Sequence, residues 1–269
     1  MGQAKLKVSA TQRLIAEHPA CCECGGLRPS GTREHMPPKA MFDKSHRPDG
    51  LVMAACETCN GGTSTADLVA SVICRWGYAK QVRGDHSRLI ARVRSQAPEV
   101  FAEWSQPVDK FQARLHLERH GVPVPADAGF ALIGPQTVRQ LNLFAHKVAL
   151  CLHFEHFKLP LPNEGRVVGY WRTKEDFAKE GIPKVLLDLM RKYGTLEQGK
   201  WSAREDFEYR YEMNEGDGLF ICLARFRQNL FVTGMTITDA ALAGKVYADW
   251  IMPSELLAAV DTEAFAKKN

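Results

Sequence analysis

The sequence predicts an α+β protein with a compact, cysteine-bearing amino-terminal part and a carboxy-terminal part that contains a long helix and an antiparallel sheet. Three observations lead to this prediction. Two Cys-x-x-Cys pairs flank a Gly- and Pro-rich stretch, apolar residues recur at helical spacing over residues 136–157, and alternating segments follow between residues 207 and 237. Strands and helices are therefore grouped along the chain, which is typical of the α+β class.

Length and composition limit the class of protein. The chain has 269 residues, enough for one large domain or two modest ones, with 45% hydrophobic and 25% charged residues as in ordinary globular proteins. No run of 18 apolar residues is present, so we expect no membrane-spanning helix. The first 20 residues carry two lysines but lack the apolar core of a secretory signal, and we therefore expect a cytoplasmic location.

The cysteines are unevenly distributed. In a reducing compartment, clustered cysteines are more often metal ligands than disulfide partners. Three of the eight stand alone among apolar residues and are expected in the core, namely Cys74, Cys151 and Cys222. The other five lie in the first quarter of the chain: Cys21, Cys22, Cys24, Cys56 and Cys59.

The clustered cysteines form two Cys-x-x-Cys pairs, Cys21 with Cys24 and Cys56 with Cys59, separated by 31 residues. Each pair places two thiolates on one tight turn, so that the two turns together offer a tetrahedral site for Zn²⁺. Cys22 could replace Cys21 only through a shorter Cys-x-Cys spacing. Residues 21–62 show no long helical period and cannot bury much apolar surface, so a structural zinc ion is the natural stabiliser of this region.

The segment between the pairs contains Arg33-Glu34-His35-Met36-Pro37-Pro38-Lys39, and Asn60 follows the second pair directly. The order C-x-x-C, E-H-x-x-P, C-x-x-C-N resembles the HNH endonuclease family, in the variant whose cysteine knuckles flank a ββα-metal core. The run from Cys59 to Asp67 is similar to a C-N-x-x-x-S-x-x-D form of that family. This likeness covers about residues 21–75, roughly a fifth of the chain. It implies an amino-terminal zinc-stapled ββα-metal (HNH-like) domain.

The resemblance also implies roles for individual residues. His35 would be the general base that takes a proton from water, since an unperturbed histidine titrates near pH ~6.5. Glu34 and the side-chain carbonyl of Asn60 would bind a catalytic Mg²⁺ or Mn²⁺, because hard ions prefer oxygen ligands. Arg33 and Lys39 would contact phosphates. The zinc would be purely structural, because four thiolates leave no open coordination position.

One position departs from the family pattern. Family members usually have an asparagine six residues before the third cysteine, where it braces the catalytic loop, and this chain has Gly50 with Asp49 beside it. Either Asp49 substitutes, or the core has lost activity, or the alignment is offset by one residue. Each site residue also has a simpler interpretation: His35 as a loop histidine, Glu34 as a surface acid, and Asn60 as a turn residue.

Three parts are predicted along the chain. Residues 1–104 hold the zinc-containing region and the helices that follow it, residues 105–135 form a proline-marked linker, and residues 136–269 form an α+β domain of unknown role. A helix is expected to begin near Ser64, where Ser64 and Asp67 have the spacing of a capping box. The last part is expected to contain a helix over residues 136–157, helical material around Val185–Tyr193, and strands over residues 166–171, 207–213, 219–226 and 230–237.

The positive charge is concentrated in the cysteine-bearing portion. Residues 1–104 contain fourteen Lys and Arg against ten Asp and Glu, and the remainder contains twenty-one of each. A basic bias suits a phosphate backbone, although the basic residues after the knuckles could equally form a solvated helix face. Those residues are Arg75, Lys80, Arg83, Arg88, Arg92 and Arg94.

These observations leave three classes of function. The first is a metal-dependent nuclease that acts on DNA, in a bacterial or phage setting. A second is a non-catalytic, zinc-stapled module that binds nucleic acid. In the third, the zinc region is a structural or protein-docking element and function resides in the carboxy-terminal half.

Overall fold

The computed structural model describes residues 9–43, 47–76, 83–122, 124, 130–181, 184–198, 201–244 and 249–266. The amino-terminal part contains short elements with two strands at its centre. In chain order they are α1 (Ala10–Glu17), β1 (Thr32–His35), a 3₁₀ turn (Lys39–Met41), β2 (Val52–Ala55), α2 (Glu57–Gly62), α3 (Ser64–Ile73), α4 (Arg83–Gln96), α5 (Pro98–Trp104) and α6 (Lys110–Arg119). The segment predicted as a linker thus contains the helix α6.

The carboxy-terminal part begins with the longest helix and continues into the main sheet. Its elements are α7 (Pro135–Phe157), β3 (Arg166–Thr173), α8 (Lys174–Glu180), α9 (Lys184–Leu189), β4 (Lys192–Thr195), β5 (Glu197–Gln198), β6 (Trp201–Ser202), β7 (Phe207–Asn214), β8 (Leu219–Phe226), β9 (Leu230–Ile237), α10 (Ala240–Ala243) and α11 (Pro253–Ala266). Five of the strands form one antiparallel sheet in the order β3-β9-β8-β7-β4.

Helix α7 packs against this sheet. Phe144 meets Phe226 of β8 edge to face, with ring centroids 5.1 Å apart. Gly169 of β3 allows the close approach, since a Cβ built there would lie 2.4 Å from the main-chain carbonyl carbon of Ala145. Helix α7 begins at a carboxylate from another helix: Glu103 of α5 accepts hydrogen bonds from the amides of Gln136 (2.6 Å) and Thr137 (2.9 Å). These contacts fix the position of α7 along its whole length.

Most of the predicted elements are confirmed. The α+β class, the antiparallel sheet, the helix over 136–157 and the hairpin formed by β8 and β9 are all present. The prediction of helix up to Tyr193 is wrong, because α9 ends at Leu189 and Lys192–Thr195 pairs with β7 as an edge strand. The capping box at Ser64 is also wrong: Ser64 Oγ donates to the carbonyl of Gly61, and Asp67 has another partner described below.

One cluster of buried apolar residues includes side chains from the cysteine-bearing region, from α7 and from the sheet. Arg227, in the turn between β8 and β9, donates to the carbonyl of Met41 (2.9 Å) and to Asp43 (2.8 Å). Asn229 of the same turn donates to the carbonyl of Ile73 at 2.9 Å. The turn of the hairpin is therefore fastened to the region around β1 and α3. Within the described ranges, no helix has the length and apolar character needed to cross a bilayer.

Candidate metal centre and histidine site

Four cysteines form the candidate metal centre. The Sγ atoms of Cys21, Cys24, Cys56 and Cys59 all lie within 4.8 Å of one another, and the four residues are buried. Tetrahedral zinc, with Zn–S bonds of about 2.3 Å, requires sulfurs about 3.8 Å apart, so the grouping fits such an ion. The prediction of a four-cysteine site that could hold a structural metal ion such as zinc is therefore confirmed.

The main chain around each pair is folded into a tight turn. Gly25 and Gly26 adopt positive φ values of 64° and 76°, which a glycine tolerates at little cost. The amide of Leu27 donates to the carbonyl of Cys24 at 3.2 Å, which closes the first turn. In the second turn, Cys56 precedes α2 and its sulfur accepts from the amide of Cys59 at 3.4 Å. Helix α2 therefore starts at a cysteine of the candidate metal centre.

The spare cysteine lies outside this centre. Cys22 is fully buried, and its thiol contacts that of Cys151 on α7. Burial and this contact raise the pKa of Cys22, so it remains a neutral thiol. Cys24 behaves in the opposite way, because hydrogen bonds from Cys21 and Cys59 lower its pKa to about 4. The structure thus selects Cys21 over Cys22 as the partner of Cys24.

Strands β1 and β2 form a short antiparallel hairpin between the two cysteine pairs, and α2 leaves the second pair beside β1. His35 pairs with Val52 in this ladder, and Glu34 with Met53. Asn60 of α2 donates through Nδ2 to Thr32 Oγ1 (2.9 Å) and to the carbonyl of Arg33 (3.1 Å). The amide is thereby oriented with its Oδ1 oxygen free of hydrogen bonds from the described residues, and this oxygen could bind a hard cation.

The side chains of Glu34 and Asn60 bond the main chain of β1 along one edge, next to His35. In a strand, the carbonyl of one residue and the amide two residues later point to the same side. The carbonyl of Arg33 accepts from Asn60, and the amide of His35 donates to Glu34 Oε1 at 2.9 Å. The two side chains therefore bond neighbouring peptide groups on the same strand edge.

The His35 imidazole lies in positive surroundings. It is half-buried, and burial together with the charges of Arg47, Lys39 and Arg33 lowers its pKa to about 4. Asp49 opposes this shift weakly. The ring is neutral at physiological pH and can accept a proton, while the cations around it can attract a phosphate. Lys39 is exposed and Arg33 is half-buried, as phosphate-contacting residues require.

Arg47 braces the loop that carries this site. Its guanidinium donates to the carbonyls of Met36 (2.9 Å), Pro37 (2.9 Å) and Pro48 (2.8 Å). It also donates to the carbonyl of Gly50 at 2.7 Å. These hydrogen bonds hold the main chain on both sides of Gly50, the position at which the family resemblance leads one to expect a bracing asparagine. Asp49, the substitute considered from the sequence, is exposed.

Glu34 faces inward rather than toward solvent. Its Oε2 lies 3.0 Å from Nζ of Lys147 on α7, and the two side chains are 4% and 0% exposed. Lys147 Nζ also lies 2.8 Å from Asp67 Oδ2 and donates to Thr63 Oγ1 at 3.0 Å. Glu23, fully buried, accepts from the Thr63 hydroxyl at 3.4 Å. We call these five residues the Lys147 cluster.

Three carboxyl groups share one ammonium in the Lys147 cluster. Burial raises the pKa of Glu23 to about 7 and that of Glu34 to about 8, although Lys147 opposes both shifts. The pKa of Lys147 is raised well above its ordinary value by Asp67, Glu34 and Glu23, despite its burial. Among the residues that the structure describes, none donates a hydrogen bond to Glu23 Oε1 or to Asp67 Oδ1. The cluster therefore keeps its lysine charged, and burial favours the protonated forms of Glu23 and Glu34.

Sequence reasoning missed Lys147, Glu23 and Arg47. The sequence did contain an indication of the role of Lys147. It is the one Lys or Arg between Phe144 and Phe157, on a helix predicted to be buried on one side, and a buried lysine requires an acidic partner. The sequence contained no such indication for Arg47, because its side chain bonds to main-chain carbonyls. His153, a histidine of α7, packs in the core with Nδ1 2.7 Å from Thr236 Oγ1.

The basic residues after the knuckles divide into two groups. Arg75 is buried and bonds to Asp43 at 2.6 Å, so it is structural. Three arginines of α4 are exposed, namely Arg88, Arg92 and Arg94. Lys80 and the side chain of Arg83 lie outside the described residues. Of the predicted basic residues, only the exposed arginines of α4 are seen to form a solvent-facing basic surface among the described residues.

Comparison with protein-family models, with curated proteins and with solved structures finds no match to this chain. What the chain does must therefore be argued from its own four-cysteine centre and from the residues along β1.

Proposed function

We propose that this chain is a metal-dependent endonuclease of the HNH type that hydrolyses phosphodiester bonds, with DNA as its substrate. The observation that carries the proposal is that the side chains of Glu34 and Asn60 both bond the main chain of β1 next to His35, in the segment that lies between the two cysteine pairs in the sequence. A strand that carries a histidine beside a helix that carries an asparagine agrees with the family resemblance of residues 21–75.

His35 is the general base of the proposed reaction. Its pKa of about 4 leaves the imidazole neutral above that pH, so it can take the proton of an attacking water. Arg33 and Lys39 hold the phosphate beside it. These two side chains, together with Arg47, supply the positive field that lowers the pKa of His35, and the same field favours a bound anion.

A divalent ion would be held by Asn60 Oδ1 and Glu34. A carboxylate has about four lone-pair positions, and Glu34 uses one on each oxygen, for His35 and for Lys147, so that one on each remains. When bound, Mg²⁺ or Mn²⁺ supplies positive charge to the leaving oxygen. The zinc fixes the two turns and takes no part in the hydrolysis.

A second candidate, a zinc-stapled module that binds nucleic acid without cleaving it, is favoured by the burial of Glu34. Its side chain is 4% exposed and both oxygens already have partners. If Glu34 remains bonded to Lys147 and does not bind metal, Asn60 is the remaining protein ligand, and one amide oxygen binds a divalent ion too weakly for catalysis. The basic residues around His35 would then serve binding only.

The test is plasmid cleavage with added Mg²⁺ or Mn²⁺, comparing the wild type with His35→Ala. A matched control is His120→Ala, which removes an exposed histidine directly after α6. The divalent ion is withheld rather than chelated, and zinc content is measured in each sample, so that loss of the structural zinc is not mistaken for loss of catalysis. Nicking that requires both the divalent ion and His35 supports the nuclease. Gel shifts without nicking at low salt identify the binding module, and the absence of both refutes both candidates.

A further inference from the structure

Lys147 is buried inside the amino-terminal region although it belongs to α7. Its side chain is 0% exposed, and its ammonium bonds to Glu34 on β1, Asp67 on α3 and Thr63 before α3. Burying an ammonium group costs several kcal/mol unless it is paired, so its position requires these acceptors. In return, Lys147 supplies the only positive side chain among the three carboxyl groups of the cluster.

The bonds of Glu34 connect this ammonium to the histidine. One oxygen of Glu34 bonds to Lys147, and the other accepts the main-chain N–H of His35 at 2.9 Å. A rotation of the carboxylate would break both bonds together. The orientation of the His35 peptide therefore depends on a residue that lies 112 positions later in the sequence.

We propose that Lys147 is a positioning residue for the site, which holds Glu34 and through it sets the orientation of His35. This inference rests on the proposed function for its catalytic meaning, while the linkage itself is a property of the fold. It also gives the carboxy-terminal part a role, because α7 delivers the cation that the site requires.

Lys147 also fastens α7 to α3 through Asp67, and this purely structural role must be separated from positioning. The variant Asp67→Asn removes the charge of that second bond and leaves the Lys147–Glu34 pair in place. The double variant Lys147→Met/Asp67→Asn has the same formal charge in the cluster as the wild type, since it loses one charge of each sign. Met matches the length of the apolar part of lysine, so packing is retained. The only planned difference between the two variants is the ammonium that holds Glu34.

The first measurement does not involve activity. The imidazole signals of the histidines are recorded by ¹H–¹⁵N NMR in the full-length, zinc-loaded protein, and His35 is assigned with His35→Gln. We expect the His35 signals to keep their wild-type positions in Asp67→Asn and to shift in the double variant. The signals of His153 and His156, which pack against Thr236 and Tyr211, should stay in place in both variants.

The second measurement is plasmid cleavage. The double variant should lose on the order of tenfold or more in kcat with little change in KM, because the base is misplaced while the phosphate contacts of Arg33 and Lys39 remain. Unmoved His35 signals in the double variant would overturn the proposal. So would a double variant that fails to fold while Asp67→Asn folds, since Lys147 would then be a requirement of the fold. A wild type that cleaves nothing would refute the proposed function alone, and the NMR comparison would still decide the linkage.

Discussion

Gly62 at the end of α2 lies against Val260 of α11, so closely that a Cβ built on Gly62 would overlap the Val260 side chain. Helix α11 contains residues 253–266, and α2 carries Cys59 of the candidate metal centre. The carboxy-terminal helix therefore covers the second cysteine turn, and the absence of a side chain at position 62 is what permits it.

Gly62→Ala should destabilise the protein by about 1–3 kcal/mol, because the added methyl group overpacks the contact with Val260. Gly61 is its matched control, since a Cβ there would meet nothing within 4 Å. Gly61→Ala should be neutral or should stabilise the helix by up to about 1 kcal/mol. Urea denaturation of the two variants measures the difference, and equal stabilities would show that α11 does not pack on α2.

The four-cysteine centre should bind one zinc ion per chain. Cys59→Ala removes a ligand and should abolish stoichiometric zinc, measured by elemental analysis of the purified protein. It should also abolish cooperative unfolding, because a structural zinc ion contributes on the order of 10 kcal/mol. Cys222→Ala, which removes a buried thiol of β8 outside the centre, should keep its zinc. Zinc retained by Cys59→Ala would contradict this assignment.

Arg47→Ala should cost at least about 2 kcal/mol, since several main-chain carbonyls lose a charged donor. Nuclease or binding activity should fall with it, because the loop from Met36 to Leu51 would no longer be braced beside His35. Arg172→Ala serves as the control: it removes an exposed pair with Glu180, in which the side chains are 48% and 61% exposed, and such pairs contribute about 0–1 kcal/mol. Chemical denaturation should therefore separate the two variants clearly.

Acid should destabilise the fold through His153. Burial lowers its pKa to about 4, whereas an unfolded chain has a histidine pKa near ~6.5. Between these values the unfolded state binds more protons, so the free energy of unfolding is fully retained above pH ~6.5 and decreases as the pH falls toward 4. His153 contributes up to roughly 3 kcal/mol of this loss.

His153→Gln should therefore flatten the dependence of stability on pH across that window, measured by denaturation at a series of pH values. His156, whose pKa burial also lowers to about 4, should keep part of the slope. The exposed residue His120 provides the comparison, and His120→Gln should leave the curve unchanged. An unaltered slope in His153→Gln would show that His153 already takes up its proton in the folded state.

Local patterns were sufficient for much of the fold. Two apolar segments joined by Arg227-Gln228-Asn229 predicted both strands of the hairpin with the bounds observed, Leu219–Phe226 and Leu230–Ile237. The spacing of the cysteines predicted which four group together. The edge strand was not predictable. Lys192–Thr195 has no sequence pattern typical of a strand, and it becomes extended because it pairs with β7.

The sequence also did not predict that the Glu34 side chain points into the protein. A glutamate beside a histidine suggests a ligand facing solvent, whereas Glu34 bonds to a lysine far along the chain. Asp67 shows the same limit, since its spacing from Ser64 suggested a cap and its actual partner is also Lys147. Short-range spacing carries no information about charges that arrive from a distant helix.

During synthesis, the four clustered cysteines are added to the chain well before Lys147. Lys147 follows Asp67 by 80 residues, and the four cysteines of the candidate metal centre precede both. At synthesis rates of about 5–20 residues per second, the nascent chain spends roughly 4–16 seconds with the metal turns complete and the acidic groups beneath them unneutralised. Metal capture by the four cysteines can thus come early, but the ion pairs of Glu34 and Asp67 cannot form until Lys147 of α7 has been made.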